Sequence, residues 1–165
     1  MRKPEYIIGI DPDCDKSGFA WLEVKSRAIR LYSLTFPELI DKLLHGRGAI
    51  PNTIVVVEAG WLSESHWHLT RWDNARLAAA KGNAVGRNHE TGRKIVEMCR
   101  HHSRDVYEQR PLRKCWKGKD GKISHQEISQ FIPNFPNRSN QETRDAALIA
   151  WNWAGFPIRM KIINH

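Results

Sequence analysis

The sequence predicts a mixed α/β domain with a five-stranded sheet, three of whose strands are antiparallel, flanked by helices. Three observations support this prediction. Short runs rich in β-branched and aromatic residues alternate with segments of helical spacing. The first three runs follow one another through short connections, as in an antiparallel meander. A helical segment then leads to a further β-branched run, and parallel strands need such a crossover. The 165 residues fit a single domain over 1–165.

The first half of the chain contains most of the predicted sheet. Only three residues separate the second and third runs, which predicts a hairpin. The segment 37–45 has the leucine and isoleucine stripe of an amphipathic helix. The run TIVVVE that follows is apolar enough for a strand buried on both faces. Strands are predicted over residues 6–10, 18–24, 28–34 and 53–58.

The second half is mainly helical. Ser124 and Glu127 have the spacing of a capping box at the start of a short helix. Gly82, Gly86 and Gly92 are expected to break the long helix before it or to mark close approaches. Helices are predicted over residues 74–102, 124–131 and 140–153, and a fifth strand over 105–108. The segment 59–73 is predicted to be a functional loop or short irregular helix, and 110–122 a basic loop.

The charge of the chain is concentrated in one region. Lys and Arg number 26 against 18 Asp and Glu, a formal net charge of +8. Between Lys81 and Lys122 there are twelve basic and five acidic residues. A basic block of this kind is typical of proteins that bind a polyanion, most often nucleic acid. The alternative is a solvated basic face without a partner.

Composition also limits the environment of the protein. No apolar run approaches the roughly 20 residues of a membrane helix, and the N-terminal run is interrupted at Asp11. We therefore expect no membrane segment and no signal peptide. The three cysteines are widely spaced and odd in number, which favours reduced thiols over a disulfide framework. A cytoplasmic location is the expectation.

Three acidic residues lie where a purely structural role is difficult. Asp11 and Glu58 each end an apolar strand, and Asp145 lies on a helix otherwise rich in Ala, Leu and Ile. If the two strands are parallel neighbours, Asp11 and Glu58 emerge at the same sheet edge. Glu142 precedes Asp145 by three residues and so shares its helix face. Converging carboxylates of this number suit two Mg²⁺ ions, or Mn²⁺ in their place. The alternative is that they pair with arginines or cap turns.

Three segments together resemble a known family. They are IIGIDPDCDKSGFAWLEV at the first strand, VVVEAGW at the later strand and ETRDAALIAW at the last helix. In this order the chain resembles the RuvC-type Holliday junction resolvases of the RNase H-like superfamily, in particular the compact phage and bacterial members. The resemblance covers nearly the whole chain. It implies an RNase H-like fold, a Mg²⁺-dependent endonuclease that nicks four-way DNA junctions, and a homodimer matched to the two-fold symmetric substrate.

The resemblance also assigns residues. Asp11 matches the first catalytic aspartate, Glu58 the strand glutamate and Asp145 the last aspartate, with Glu142 at the acidic position before it. Trp61 falls where the family can place an aromatic side chain that stacks on bases. The residues expected to contact DNA are Trp61, Arg87, Arg93, Lys94, Arg113, Lys114, Lys117 and His125.

The sequence departs from the family in two places. The family commonly has Asp-Pro-Gly in the first motif, whereas here Asp13 takes the third position and Asp15 follows. We expect these two carboxylates to face solvent. The loop after Glu58 carries more Trp and His than the family pattern, which affects the expected geometry of strand separation. His66, Trp67 and His68 of that loop are interpreted as facing DNA.

Other hypotheses have weaker support. The groups His66 with His68, and Cys99 with His101 and His102, suggest zinc but lack the usual ligand spacing. Cys14 has no evident base and is interpreted as a structural thiol. Two functional alternatives remain open. One is an RNase H-like nuclease acting on other branched DNA, flaps or RNA. The other is a DNA-binding module without catalysis.

Overall fold

The computed structural model describes residues 3–63 and 72–158. Its strands are β1 (Tyr6–Asp11), β2 (Ser17–Glu23), β3 (Ile29–Leu34), β4 (Thr53–Glu58) and β5 (Val106–Gln109). Its α-helices are α1 (Phe36–Leu44), α2 (Ala75–His101), α3 (His125–Ser129) and α4 (Gln141–Trp153). Single 3₁₀ turns occupy Arg47–Ala49, Gly60–Leu62 and Lys119–Gly121. Within the described ranges, no helix is both long and apolar enough to cross a membrane.

The five strands form one mixed sheet in the order β3-β2-β1-β4-β5. Strand β1 pairs antiparallel with β2, and β2 pairs antiparallel with β3. On its other side β1 pairs parallel with β4, which pairs parallel with β5. The predicted fold class is therefore confirmed, with the strand order and directions of an RNase H-like fold. Helix α1 provides the crossover from β3 to β4, as its position in the sequence predicted.

The alternation of side chains divides the core between the two faces of the sheet. On one face Ile7, Ala20 and Val56 pack against α4. On the other face Ile8, Phe19 and Val55 pack with residues of α1 and of the C-terminal half of α2. Both faces are covered, which explains why β1 and β4 are almost continuously apolar. Asp11 and Glu58 belong to the face that α4 covers, because they lie four residues after Ile7 and two residues after Val56, and even spacings along a strand share one face.

Helix α4 packs unusually closely on β1 and β2. A Cβ atom added to Gly9 would lie 2.1 Å from the carbonyl oxygen of Ala146, and one added to Gly18 would lie 1.9 Å from that of Glu142. Neither position has space for a side chain, so the helix backbone rests directly on the strands. Two glycines thus set the height of α4 above the sheet.

The predicted helix starts are confirmed by their caps. Ser124 caps α3 and shares a capping box with Glu127. Asn140 caps α4, its side chain accepting a hydrogen bond from the amide of Thr143. These local interactions explain why the boundaries could be predicted closely.

The glycine breaks predicted in the long helix are wrong for two of the three positions. Helix α2 continues through Gly82 and Gly86, and apart from the neighbouring helix backbone no atom of the described residues lies within 4 Å of a Cβ built at either. Gly92 does mark a close approach, because a Cβ there would lie 2.4 Å from the ring of Trp61. Isolated glycines weaken a helix without ending it when the flanking residues favour helix.

The contrast between Gly9 and Gly86 makes a prediction about stability. We expect Gly9→Ala to lower the free energy of unfolding by about 3 kcal/mol, because its methyl group would overlap the α4 backbone. Gly86→Ala is the matched control and is expected to raise it by about 1 kcal/mol, since an exposed helical alanine replaces a glycine. Urea unfolding followed by circular dichroism measures both. A Gly9→Ala protein as stable as the parent would contradict the close packing.

Candidate active site

The carboxylates of Asp11 and Glu58 end two neighbouring parallel strands. Ile10 is in register with Val57, so the following residues, Asp11 and Glu58, emerge together at the carboxyl edge of the sheet. Asp145 reaches the same edge from the first half of α4. The three carboxylates line one cleft of about 250 Å³. The convergence expected from the sequence is therefore present for these three residues.

Glu142 is placed differently from the other three acids. Glu142 is half-buried on α4, and it is not one of the described residues that line the cleft. Its charge also raises the pKa of Asp11 less than those of Glu58 and Asp145 do. The spacing of three residues put Glu142 on the correct helix face, yet one turn of helix moves it towards the rim.

The cleft makes ionisation of its carboxylates unfavourable. Burial, followed by repulsion from Glu58 and Asp145, holds the pKa of Asp11 well above its usual range. Burial and the charge of Asp145 raise the pKa of Glu58 from 4.5 to about 7. Within the described part of the chain, no donor hydrogen-bonds to the carboxylate of Asp11 or Glu58. Half-buried carboxylate oxygens of this kind fit a bound divalent cation, which supplies the missing positive charge.

Lys122 is the cation that the protein itself places among these acids. Its Nζ lies 3.2 Å from Oδ2 of Asp145. Burial lowers the pKa of Lys122, but attraction to Asp145 and Asp11 outweighs it and leaves the pKa raised. Sequence reasoning counted Lys122 only as the end of the basic block. Its position in a GKDGK turn carries no signal of a partner 23 residues later.

Polar side chains of α4 hold both Asp145 and the segment that carries Lys122. Gln141 donates from Nε2 to Oδ1 of Asp145 at 2.8 Å and to the carbonyl oxygen of Ile123 at 3.2 Å. Arg144 donates from Nε to the same carbonyl at 3.0 Å. The carbonyl directly after Lys122 is thus attached twice to the helix that bears Asp145.

The turn after Asp11 is attached to α2 through Asn88. The Oδ1 atom of Asn88 accepts from the amide of Cys14 at 2.9 Å, and its Nδ2 donates to Asp13 Oδ2 at 3.3 Å. The other oxygen of Asp13 accepts from the amide of Asp15 at 2.8 Å. The expectation that Asp13 faces solvent is therefore wrong, because its carboxylate accepts hydrogen bonds that organise the turn. Asp15 is exposed. The ligand atoms of Asp13, Cys14 and Asp15 lie within 4.8 Å of one another, which the turn itself accounts for.

Trp61 lies half-buried between α2 and β5. Its indole N–H donates to Oε2 of Glu108 at 3.0 Å, and its ring occupies the space left by Gly92. The guanidinium of Arg93 lies 5.6 Å from the ring centroid. Trp61 also lines the cleft beside Glu58, together with His89. Stacking of Trp61 on a base stays a prediction, but its position at the cleft is compatible with it.

The predicted basic DNA contacts fall into three groups. Arg113 and Lys114 are exposed and line the cleft. Arg87, Arg93 and Lys94 are exposed along α2, where Lys94 forms an ion pair with Glu97 at 2.7 Å. Lys117 is exposed, and the half-buried His125 contacts Ser139 Oγ through Nδ1 at 2.7 Å. Within the described ranges, neither of these last two lines the cleft.

The zinc hypothesis is wrong where it concerns Cys99. Its side chain is in the core, where burial raises the pKa of the thiol to about 11. His101 and His102 are exposed and pack edge to face on each other. In the described part of the chain these three residues form no ligand cluster. His66, Trp67 and His68 lie outside the described residues.

The raised pKa of Glu58 predicts how stability depends on pH in the metal-free protein. Between pH 4.5 and about 7, Glu58 is protonated in the folded state and ionised in the unfolded state. The free energy of unfolding should therefore fall as pH rises through this window, by up to about 3 kcal/mol. Urea unfolding in EDTA at pH 5, 6, 7 and 8 measures the fall.

Asp145→Asn is the matched variant for that measurement, because it removes the charge that repels Glu58. Its profile should be flatter and should lie above that of the parent at pH 8. Parallel profiles for the two proteins would contradict the proposed repulsion.

Comparisons with known proteins give one kind of match. No family model matches the sequence, and no curated protein matches it. Among solved structures, the Thermus thermophilus RuvC structure is 16% identical over 92% of this chain and 97% of that chain, with a TM-score of 0.46. The T. thermophilus RuvC in complex with Holliday junction substrate is 15% identical over 88% and 89%, with a TM-score of 0.45. Both are structures of RuvC.

Proposed function

We propose that this protein is a metal-dependent endonuclease that nicks four-way DNA junctions symmetrically. The observation that supports it best is the convergence of Asp11, Glu58 and Asp145 in one cleft whose wall also includes Arg113 and Lys114. Half-buried carboxylates can bind a cation, and the exposed Arg113 and Lys114 beside them can bind a polyanion. This combination suits hydrolysis of a phosphodiester. A binding module without catalysis has no need of three mutually repelling carboxylates.

The acids of the cleft are the proposed ligands of Mg²⁺, with Mn²⁺ as a substitute. Asp11 and Glu58 offer carboxylates that have no hydrogen-bond donor in the described part of the chain, and Asp145 adds a third from α4. Glu142 is the proposed fourth ligand, from the rim. When bound, the cation polarises the scissile phosphate and lowers the pKa of water, which favours hydrolysis at neutral pH.

The other residues of the cleft position the substrate. The guanidinium of Arg113 and the ammonium of Lys114 are placed to hold the phosphates that flank the scissile bond. Gln141 fixes the orientation of Asp145 through its 2.8 Å hydrogen bond. Trp61, whose indole N–H is bound by Glu108, lines the same cleft as Glu58, and an unpaired base can stack on its ring. Arg87, Arg93 and Lys94 extend the basic surface along α2.

The four-way junction is proposed as the substrate because of the resemblance of the three sequence motifs to RuvC-type resolvases. A junction has two-fold symmetry, and its resolution needs two opposed cuts. Two copies of the cleft that the described residues form would supply these cuts, so a symmetric homodimer is proposed as the active form.

Cleavage of a labelled synthetic junction tests the function. We expect paired symmetric nicks with Mg²⁺ and none with EDTA. Asp145→Asn should lower the rate by about 1,000-fold or more, equivalent to about 4 kcal/mol of transition-state stabilisation. Glu142→Gln, one helical turn away, should lower it less because Glu142 lies outside the cleft. A linear duplex and an RNA–DNA hybrid are run in parallel. Preferential cutting of the hybrid or of a flap would move the substrate class, and binding without cutting would contradict catalysis.

The basic wall of the cleft makes a separate prediction. The double variant Arg113→Gln, Lys114→Gln should weaken junction binding by about ten-fold and reduce the salt dependence of binding, because two phosphate contacts are lost. The double variant Lys25→Gln, Arg30→Gln is the matched control, since both residues are exposed at the β2–β3 turn or next to it, at the opposite end of the sheet. Fluorescence anisotropy at several salt concentrations measures both. Equal losses for the two proteins would show that overall charge, and not the cleft wall, governs binding.

A further inference from the structure

Lys122 occupies an exceptional position for a lysine. Its ammonium lies 3.2 Å from Asp145 Oδ2, and the side chain of Asp145 is only 17% exposed. It lines the same cleft as Asp11 and Glu58. Most lysines form ion pairs at the surface, where water screens them, whereas this one faces three carboxylates in a recess.

The position of Lys122 disfavours a second divalent cation at Asp145. Asp11, Glu58 and Asp145 carry three negative charges when ionised, and the ammonium of Lys122 pairs with the last of them. The charge of Lys114, which lines the same cleft, also acts on Glu58. A second divalent ion bound to Asp145 would lie close to the ammonium of Lys122, which like-charge repulsion disfavours.

The partners of Asp145 support the same conclusion. Its Oδ1 accepts from Gln141 and its Oδ2 from Lys122, so both oxygens already have a donor. Asp11 and Glu58, by contrast, have no hydrogen-bond donor in the described part of the chain. One cation bound mainly by Asp11 and Glu58 leaves the pair of Asp145 with Lys122 intact, whereas a second cation on Asp145 would share this carboxylate with the ammonium.

We propose that Lys122 takes the place of one of the two cations expected from the sequence, so that each chain binds a single divalent ion and the ammonium supplies the second positive charge at Asp145. This inference rests on the proposed metal-dependent function. The backbone next to Lys122 is held in place, because Gln141 and Arg144 both donate hydrogen bonds to the carbonyl oxygen of Ile123. These bonds keep the ammonium of Lys122 near Asp145.

The test counts ions and does not depend on cleavage. Mn²⁺ is titrated into the purified full-length chain without DNA, by calorimetry and by electron paramagnetic resonance of the free ion. We expect one Mn²⁺ per parent chain. Lys122→Met removes the charge at similar length and should bind two Mn²⁺, or bind the first at least ten-fold more tightly.

Two controls keep the measurement decisive. Lys122→Arg keeps a positive charge and should bind one Mn²⁺ like the parent. If Lys122→Met fails to fold, Lys122→Gln removes the charge with a polar side chain and is expected to give the same result. Lys119→Met removes an exposed lysine of the same loop and should change neither the number of ions nor the affinity.

The outcomes separate this inference from the proposed function. Two Mn²⁺ per parent chain, both lost in Asp11→Asn, would overturn the role of Lys122 and leave the metal site in place. Unchanged number and affinity in a folded Lys122→Met protein would also overturn it. Mn²⁺ binding that Asp11→Asn does not reduce would show that the ion lies outside the cleft, and would overturn both proposals.

Discussion

The contact of α4 with the sheet through two glycines is the constraint on which the candidate site depends. Because Gly9 and Gly18 have no side chains, the backbone of α4 lies directly against β1 and β2. At this height Asp145 reaches the edge where Asp11 and Glu58 end. A side chain at either glycine would lift the helix, and the third carboxylate would move away from the other two.

The site that results stores unfavourable electrostatics. Three carboxylates share a recess that raises the pKa values of Asp11 and Glu58, and the ammonium groups of Lys122 and Lys114 offset this in part. Such an arrangement lowers stability, and proteins tolerate it where binding needs it. The apolar core on both faces of the sheet supplies the stability that the cleft does not.

The basic loop between β5 and α3 is held in place by buried polar contacts. The carboxylate of Glu127 accepts from the amide of Lys117 at 2.8 Å and from that of Ser124 at 2.9 Å. Glu127 is only 4% exposed, so these bonds are well shielded from water. The loop is thus held at Lys117 and Ser124 by Glu127, and at Ile123 by α4. It therefore presents Arg113, Lys114 and Lys122 from an ordered segment. An ordered segment loses less conformational entropy when it binds a polyanion.

Local patterns were sufficient to predict the strands, the helices and their caps. Alternation, β-branched runs and capping residues act over a few neighbouring positions, so the sequence alone determined β1 to β5, α3 and α4 closely. It also determined the strand-end positions of Asp11 and Glu58. The motif resemblance placed Asp145 with them, although its role in catalysis stays a proposal.

What the tertiary structure decided concerns partners distant in the chain. Gly9 and Gly86 are the same residue type, yet a Cβ built at Gly9 overlaps the backbone of α4, whereas one built at Gly86 meets no described residue beyond its own helix within 4 Å. Glu142 and Asp145 share a helix face, but only Asp145 enters the cleft. The pairing of Lys122 with Asp145 joins two segments that α3 separates. Periodicity describes which way a side chain points, whereas distance and burial depend on how elements pack, and only packing could decide these three.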